Sequence, residues 1–175
     1  MKEKDRRKLI EEFKNLSLSL EFSDAAKKIL EDEHSFWKDS AYEELVREKM
    51  YILLTGAWEF ARVFDEMIAN MLANKIKNCG VKRDPLILTD DYWWKNRGRY
   101  KKVPLITIGS QISNCVSAYI RERDGLTNEM TFGITKIGKR PVAYIWGPDV
   151  IGTYAAAKEF MSSDSYFDFL KHLNK

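Results

Sequence analysis

Val46-Arg-Glu-Lys-Met-Tyr-Ile-Leu-Leu-Thr-Gly-Ala-Trp-Glu-Phe-Ala-Arg-Val-Phe-Asp-Glu-Met-Ile-Ala-Asn-Met71 is the stretch on which the fold turns. Its residues Val46, Met50, Leu53, Ala57, Phe60, Phe64, Met67 and Met71 recur at alternating spacings of four and three. That is the heptad pattern of an amphipathic helix, and Leu54, Ala61, Ile68 and Leu72 widen its apolar face. Asp39 or Ser40 can cap the start, with Glu43 and Glu44 in a first turn where the helix dipole favours acid. The pattern continues to about Lys77, and Gly80 is suited to stop it. Thr55-Gly56 is the place where it could bend or divide. So wide a stripe predicts a long central helix in the protein's own core, with the 46–71 seam also able to pair with a second copy of the chain.

Working outward, residues 4–16 read as a short amphipathic helix, 16–22 alternate like a strand or extended link, and Ser23 and Asp24 open a helix to about Glu33. His34 to Lys38 read as a connection anchored by Phe36 and Trp37. Downstream, Pro85 to Thr89 reads as a strand or extended link, and Asp90-Asp91 begin a short helix. From Gly109 a helical face of Ile112, Cys115, Val116, Tyr119 and Ile120 runs to a stop at Asp124-Gly125. Phe132–Ile137 and Pro141–Trp146 form a hairpin around Gly138-Lys139-Arg140. Asp149 caps a helix to about Met161, and Ser163 or Asp164 caps a last one. The predicted fold is α+β and mainly helical. A helical region over 1–78 carries the core and a dimerisation surface, and a basic nucleic-acid-binding region over 79–175 follows it, as a second part or as a continuation of the same domain.

The 175 residues carry a net charge of only +3, but it is unevenly spread. Residues 75–140 hold 14 Lys/Arg against 6 Asp/Glu, whereas residues 1–74 hold 12 against 16. A basic block beside acidic flanks points to a polyanion, most often nucleic acid. The two cysteines, Cys79 and Cys115, match no metal-ligand spacing and read as reduced thiols of a cytoplasmic protein. The charged N-terminus has no apolar stretch of a secretory signal, and no segment is long enough to span a membrane. Phosphate-binding glycine loops, HExxH and GxSxG are absent, and no cofactor is implied.

The helix from Gly109 carries Ser110, Gln111, Ser113, Asn114, Ser117 and Arg121 away from its apolar face. Short polar side chains and amides of this kind suit a helix that enters the DNA major groove. They equally suit an ordinary surface helix. The order of helix, polar-faced helix and basic-tipped hairpin over about 90–146 resembles the winged helix-turn-helix family. The matching residues are Ile108-Gly-Ser-Gln-Ile-Ser-Asn-Cys-Val-Ser-Ala-Tyr-Ile-Arg121 and Gly133-Ile-Thr-Lys-Ile-Gly-Lys-Arg-Pro-Val-Ala-Tyr-Ile-Trp146. That resemblance implies a winged-helix-like C-terminal unit, with Ser110, Gln111, Ser113, Asn114 and Ser117 facing bases and Lys136, Lys139 and Arg140 on phosphate. The departure lies upstream, where Gly98, Pro104 and Ile106-Thr-Ile108 replace the short helix and tight turn of that family.

Tyr92, Trp93, Trp94 and Tyr100 interleave with Lys95, Arg97, Arg99, Lys101 and Lys102, the composition of a single-strand or RNA binder. The same rings read also as core anchors beside a solvated loop. The expected function is non-enzymatic binding of duplex DNA, as a regulator or accessory factor. A single-strand binder is one alternative, and an adaptor or inhibitor for an acidic protein is another. A metal-dependent nuclease built on Asp84, Asp90, Asp91, Glu122 or Asp124 is the last of them.

Overall fold

The computed structural model describes residues 40–174. The elements expected over 4–16, 16–22 and 23–33, and the aromatic connection over 34–38, lie outside these residues.

The long central helix does not form. Helix α1 (Ser40–Lys49) gives way directly to strand β1 (Met50–Thr55), and helix α2 (Glu59–Asn78) begins after Gly56-Ala57-Trp58. The physical reason lies in Tyr51-Ile-Leu-Leu54, an unbroken apolar run that is buried throughout. A strand covered on both faces is apolar at every position, so it also satisfies any helical template laid across it.

Strand β2 (Asp84–Thr89), helix α3 (Asp90–Asn96), strand β3 (Leu105–Ile108) and helix α4 (Cys115–Asp124) follow. Then come β4 (Thr131–Ile137), β5 (Arg140–Trp146), α5 (Val150–Phe160) and α6 (Asp164–Leu173). The strands form one sheet in the order β2-β1-β3-β5-β4. β2, β1, β3 and β5 are parallel, and β4 is antiparallel at one edge. The chain is therefore an α/β protein on a central mixed sheet. This overturns the expectation of a mainly helical α+β fold with a winged-helix-like C-terminal unit. The expected hairpin is present, with Gly138 in the left-handed region at φ 63°. Its second strand, however, is an interior strand that also pairs with β3.

Alternation along the strands feeds two layers. Tyr51, Leu53, Ile106, Ile108, Ala143 and Ile145 pack beneath α2, α5 and α6 with Leu72, Ile76, Phe160, Tyr166 and Phe169. Helices α3 and α4 contact each other and cover the opposite face at β1, β2 and β3. Trp93 of α3 is wholly buried, with the Arg140 guanidinium 4.8 Å from its ring centre. Arg140 also donates to the Tyr100 carbonyl, which ties the hairpin to the loop before β3. Burial lowers its pKa to about 10.

Candidate functional site

In an open parallel sheet, ligand sites form beyond the carboxyl ends of the strands, where neighbouring strands send their connections to opposite faces. β1 and β3 are such a pair. After β1 the chain enters α2 on one face, and after β3 it enters α4 on the other. β5, beyond β3, returns to the α2 face through α5.

Two buried aspartates shape this end of the sheet. Asp65 of α2 accepts from the Gly56 N–H at 3.2 Å. Asp90, the first residue of α3, accepts from the Ala57 N–H at 2.8 Å and from the Cys115 N–H at 2.5 Å. It thereby joins the β1 loop to the start of α4. Although Cys115 is exposed as a residue, partial desolvation of its thiol, with the Asp90 carboxylate next, pushes it up to about 12. Asn114 caps α4, its side-chain oxygen accepting from Val116 and Ser117 while its amide donates to the Ile108 carbonyl at 2.9 Å. Asp149 caps α5 through the Gly152 N–H at 2.7 Å. Loop N–H groups that could cradle a phosphate are thus already occupied by carboxylates at Gly56 and Ala57.

Between the three loops lies a crevice of about 280 Å³, lined by Trp58, Ala61, Asp65, Ser110, Ile112, Ser113, Pro148, Asp149, Val150 and Thr153. Trp58 and Ile112 are 67% and 79% exposed, whereas Asp65 is only 4% exposed. Gly109 has φ 105°, and a Cβ there would fall 2.4 Å from Asp65 Oδ2, so glycine is required for the close approach of β3 to this carboxylate.

Burial pushes the Asp65 carboxyl up to about 6; the Gly56 N–H opposes the rise and the Asp90 charge adds to it. An unfolded aspartate titrates near ~3.9, so the folded state holds this proton more tightly. Stability should therefore fall as pH climbs from about 4 through about 6. Ionised Asp65 is expected to cost on the order of 2 kcal/mol at pH 8. Asp65→Asn should raise the urea midpoint at pH 8 and leave it almost unchanged near pH ~4. An unchanged midpoint at pH 8 would mean that the carboxylate carries no such strain.

The residues expected to bind nucleic acid fall into separate places. Ser110, Gln111 and Ser113 lie in the loop after β3, at the carboxyl end of the sheet. Asn114 and Ser117 are buried rather than outward, with Ser117 Oγ 3.1 Å from Thr107 Oγ1. The helix starts at Cys115 rather than Gly109, which turns its buried face to Val116, Ser117 and Ile120 and leaves Ile112 outside. Arg121 is half-buried and donates to the Leu126 carbonyl.

The basic side chains gather at the other end. Lys101 and Lys102 precede β3, and Lys139 and Arg140 stand where β5 begins; the two strands are parallel neighbours. The contact from Arg140 to the Tyr100 carbonyl brings these segments together, although Arg140 itself is buried. Lys49 precedes β1 and Lys82 precedes β2, so every parallel strand starts beside an exposed lysine. Lys136 is exposed on β4, and its carbonyl accepts from Arg123. Lys95 pairs with Asp91 at 3.5 Å, Arg97 lies over the Trp94 ring, and Arg99 is half-buried. Trp93 and Tyr100 are core anchors, and Tyr92 and Trp94 are half-buried.

The carboxylates named for a nuclease do not converge: among the described residues no three His, Cys, Asp or Glu side chains are grouped as metal ligands. No described helix is long and apolar enough to cross a membrane. Asp65 and Trp58 carry only a faint signal in the sequence. Their signal was an aspartate inside an otherwise apolar seam, nine residues beyond a Thr-Gly that ends an apolar run. No protein-family model matches the chain, and no curated protein matches it.

Proposed function

We propose that the protein binds duplex DNA as a regulatory or accessory factor, through the amino end of its parallel sheet. The observation that carries this reading is the lysine beside the start of each parallel strand, with Lys101, Lys102 and Lys139 in adjoining segments. Among the described residues these three ammonium groups have no acidic partner, so they are free to replace counterions along a phosphate backbone. A duplex suits this edge better than a single strand, because Trp93 and Tyr100 are buried and offer no stacking face. Ser110, Gln111 and Ser113 lie at the opposite end, so binding is expected to tolerate many sequences.

Fluorescence anisotropy of a labelled duplex across a salt series tests this. Lys101→Ala with Lys139→Ala should weaken binding to all sequences alike and flatten the log K against log salt slope by about 2. Gln111→Ala should leave it unchanged. A slope insensitive to the lysines, or no duplex binding at low salt, would reject the reading. An exposed apolar groove between α2 and α5, lined by Phe64, Met67, Met71, Ile151 and Tyr154, favours self-association as a further part of the proposal. Sedimentation equilibrium at rising concentration reads it directly.

A further inference from the structure

The crevice at the carboxyl end of the sheet has no part in that function, and its chemistry is different. Its walls carry the Asp65 and Asp149 carboxylates, with Asp90 behind the β1 loop, and among the described residues no Lys, Arg or His lines it. Asp65 is the informative group. One of its oxygens holds the Gly56 N–H, while Oδ1 has no hydrogen bond among the described residues. Asp65 is 96% removed from solvent, yet its free oxygen is not among the sealed, unpartnered atoms of the described residues, so it stays open to a donor in the crevice that Asp65 lines.

The nearby N–H groups do not supply that donor. Gly56 and Ala57 are held by the two aspartates, Cys115 by Asp90, Val116 and Ser117 by Asn114, and Gly152 by Asp149. An anion entering here would meet negative charge and few free donors. A cation would meet two carboxylates and the Ser110 and Ser113 hydroxyls. Trp58, Ile112, Pro148 and Val150 supply apolar walls for whatever carries the charge. A volume of about 280 Å³ matches a small molecule rather than a peptide.

We infer that this crevice is a binding site for a small organic cation, an ammonium group on a compact apolar body, with Asp65 as its counter-charge. The ammonium donates to the free Asp65 oxygen, and the apolar body rests between Trp58 and Ile112. Ligand binding keeps Asp65 ionised, so affinity falls as pH drops through the range where that carboxyl takes up its proton. Asp90 and Asp149 are the other charged groups nearby; the Asp90 charge opposes ionisation of Asp65, and the bound ammonium offsets it.

Three molecules of one skeleton provide the test: cyclohexylmethylammonium, cyclohexylmethanol and cyclohexanecarboxylate. They are titrated into the full-length protein at pH 7.5 (about one unit or more above the titration expected for Asp65), with backbone and indole N–H shifts followed by NMR. The ammonium should saturate with a Kd of about 1 mM, as its few heavy atoms allow, and should move the Gly109 and Trp58 signals. The alcohol should bind about tenfold more weakly and the carboxylate not at all. Asp65→Asn, which keeps an acceptor for Gly56 and is expected to remain folded, should weaken the ammonium by about thirtyfold or more. Trp58→Ala, at an exposed position, should weaken all binding several-fold without changing the preference for the ammonium. Equal binding of ammonium and alcohol, or no loss in Asp65→Asn, overturns the inference. Absence of saturation by about 10 mM overturns it as well.

Discussion

Trp93→Ala is expected to lower the stability of the fold by about 3–5 kcal/mol. The indole is fully buried between α3 and the sheet, touches Trp94 with ring centres 6.1 Å apart, and receives the Arg140 guanidinium on its face. Truncation removes that packing and leaves a cavity beside a buried cation, so transfer, cavity and cation–π losses act together. Arg140 would then keep one carbonyl partner, at Tyr100, with its Nε already lacking one among the described residues. Trp93→Phe should be much milder, about 1–2 kcal/mol, because it retains a ring face and removes an indole N–H that has no partner among the described residues. Urea denaturation of the three proteins reads both differences. A loss below about 1 kcal/mol for the alanine variant would mean that the residue is not packed as described.

Asp90→Ala carries the second large effect, about 2–4 kcal/mol, by another route. Its two oxygens satisfy backbone N–H groups from different segments, Ala57 after β1 and Cys115 at the start of α4. Alanine leaves both donors without their acceptor and frees the two loops from each other. Asn can satisfy one donor but presents an N–H₂ group to the other, so Asp90→Asn should lose roughly half as much. Hydrogen exchange makes the result specific: the Ala57 and Cys115 amides should lose protection ahead of the sheet. If they exchange no faster in Asp90→Ala than in the parent, the carboxylate is not what holds them. Because these loops form two walls of the crevice, its geometry depends on Asp90 although Asp90 does not line it.

Local chemistry made much of the C-terminal half legible in the sequence. Asp149 and Ser163 cap the helices expected of them, Gly125 ends α4 in the left-handed region, and the hairpin turns at Gly138. Each of these depends on one side chain and a few neighbouring backbone groups, so spacing is enough to find it. The polar start of α4 is ambiguous in the sequence for a related reason. Serine and asparagine next to a helix serve as readily for capping as for display, and Asn114 caps.

By itself the sequence determined the apolar segments, the caps and turns between them, and the placing of positive charge between residues 75 and 140. Only the tertiary structure decided that Met50–Thr55 is a strand, because an apolar run becomes a helix or a strand according to what covers it. Only the strand order separated the candidate residues, carrying Ser110 and Ser113 to one end of the sheet and Lys101 and Lys139 to the other. Residues 9 to 38 positions apart along the chain cannot be assigned to the same or opposite ends until the crossovers are known. Asp65 became a crevice residue in the same way. Its burial, its raised pKa and its free oxygen come from the fold of β1, β3 and α2 around it, and none is a property of the aspartate's place in the sequence.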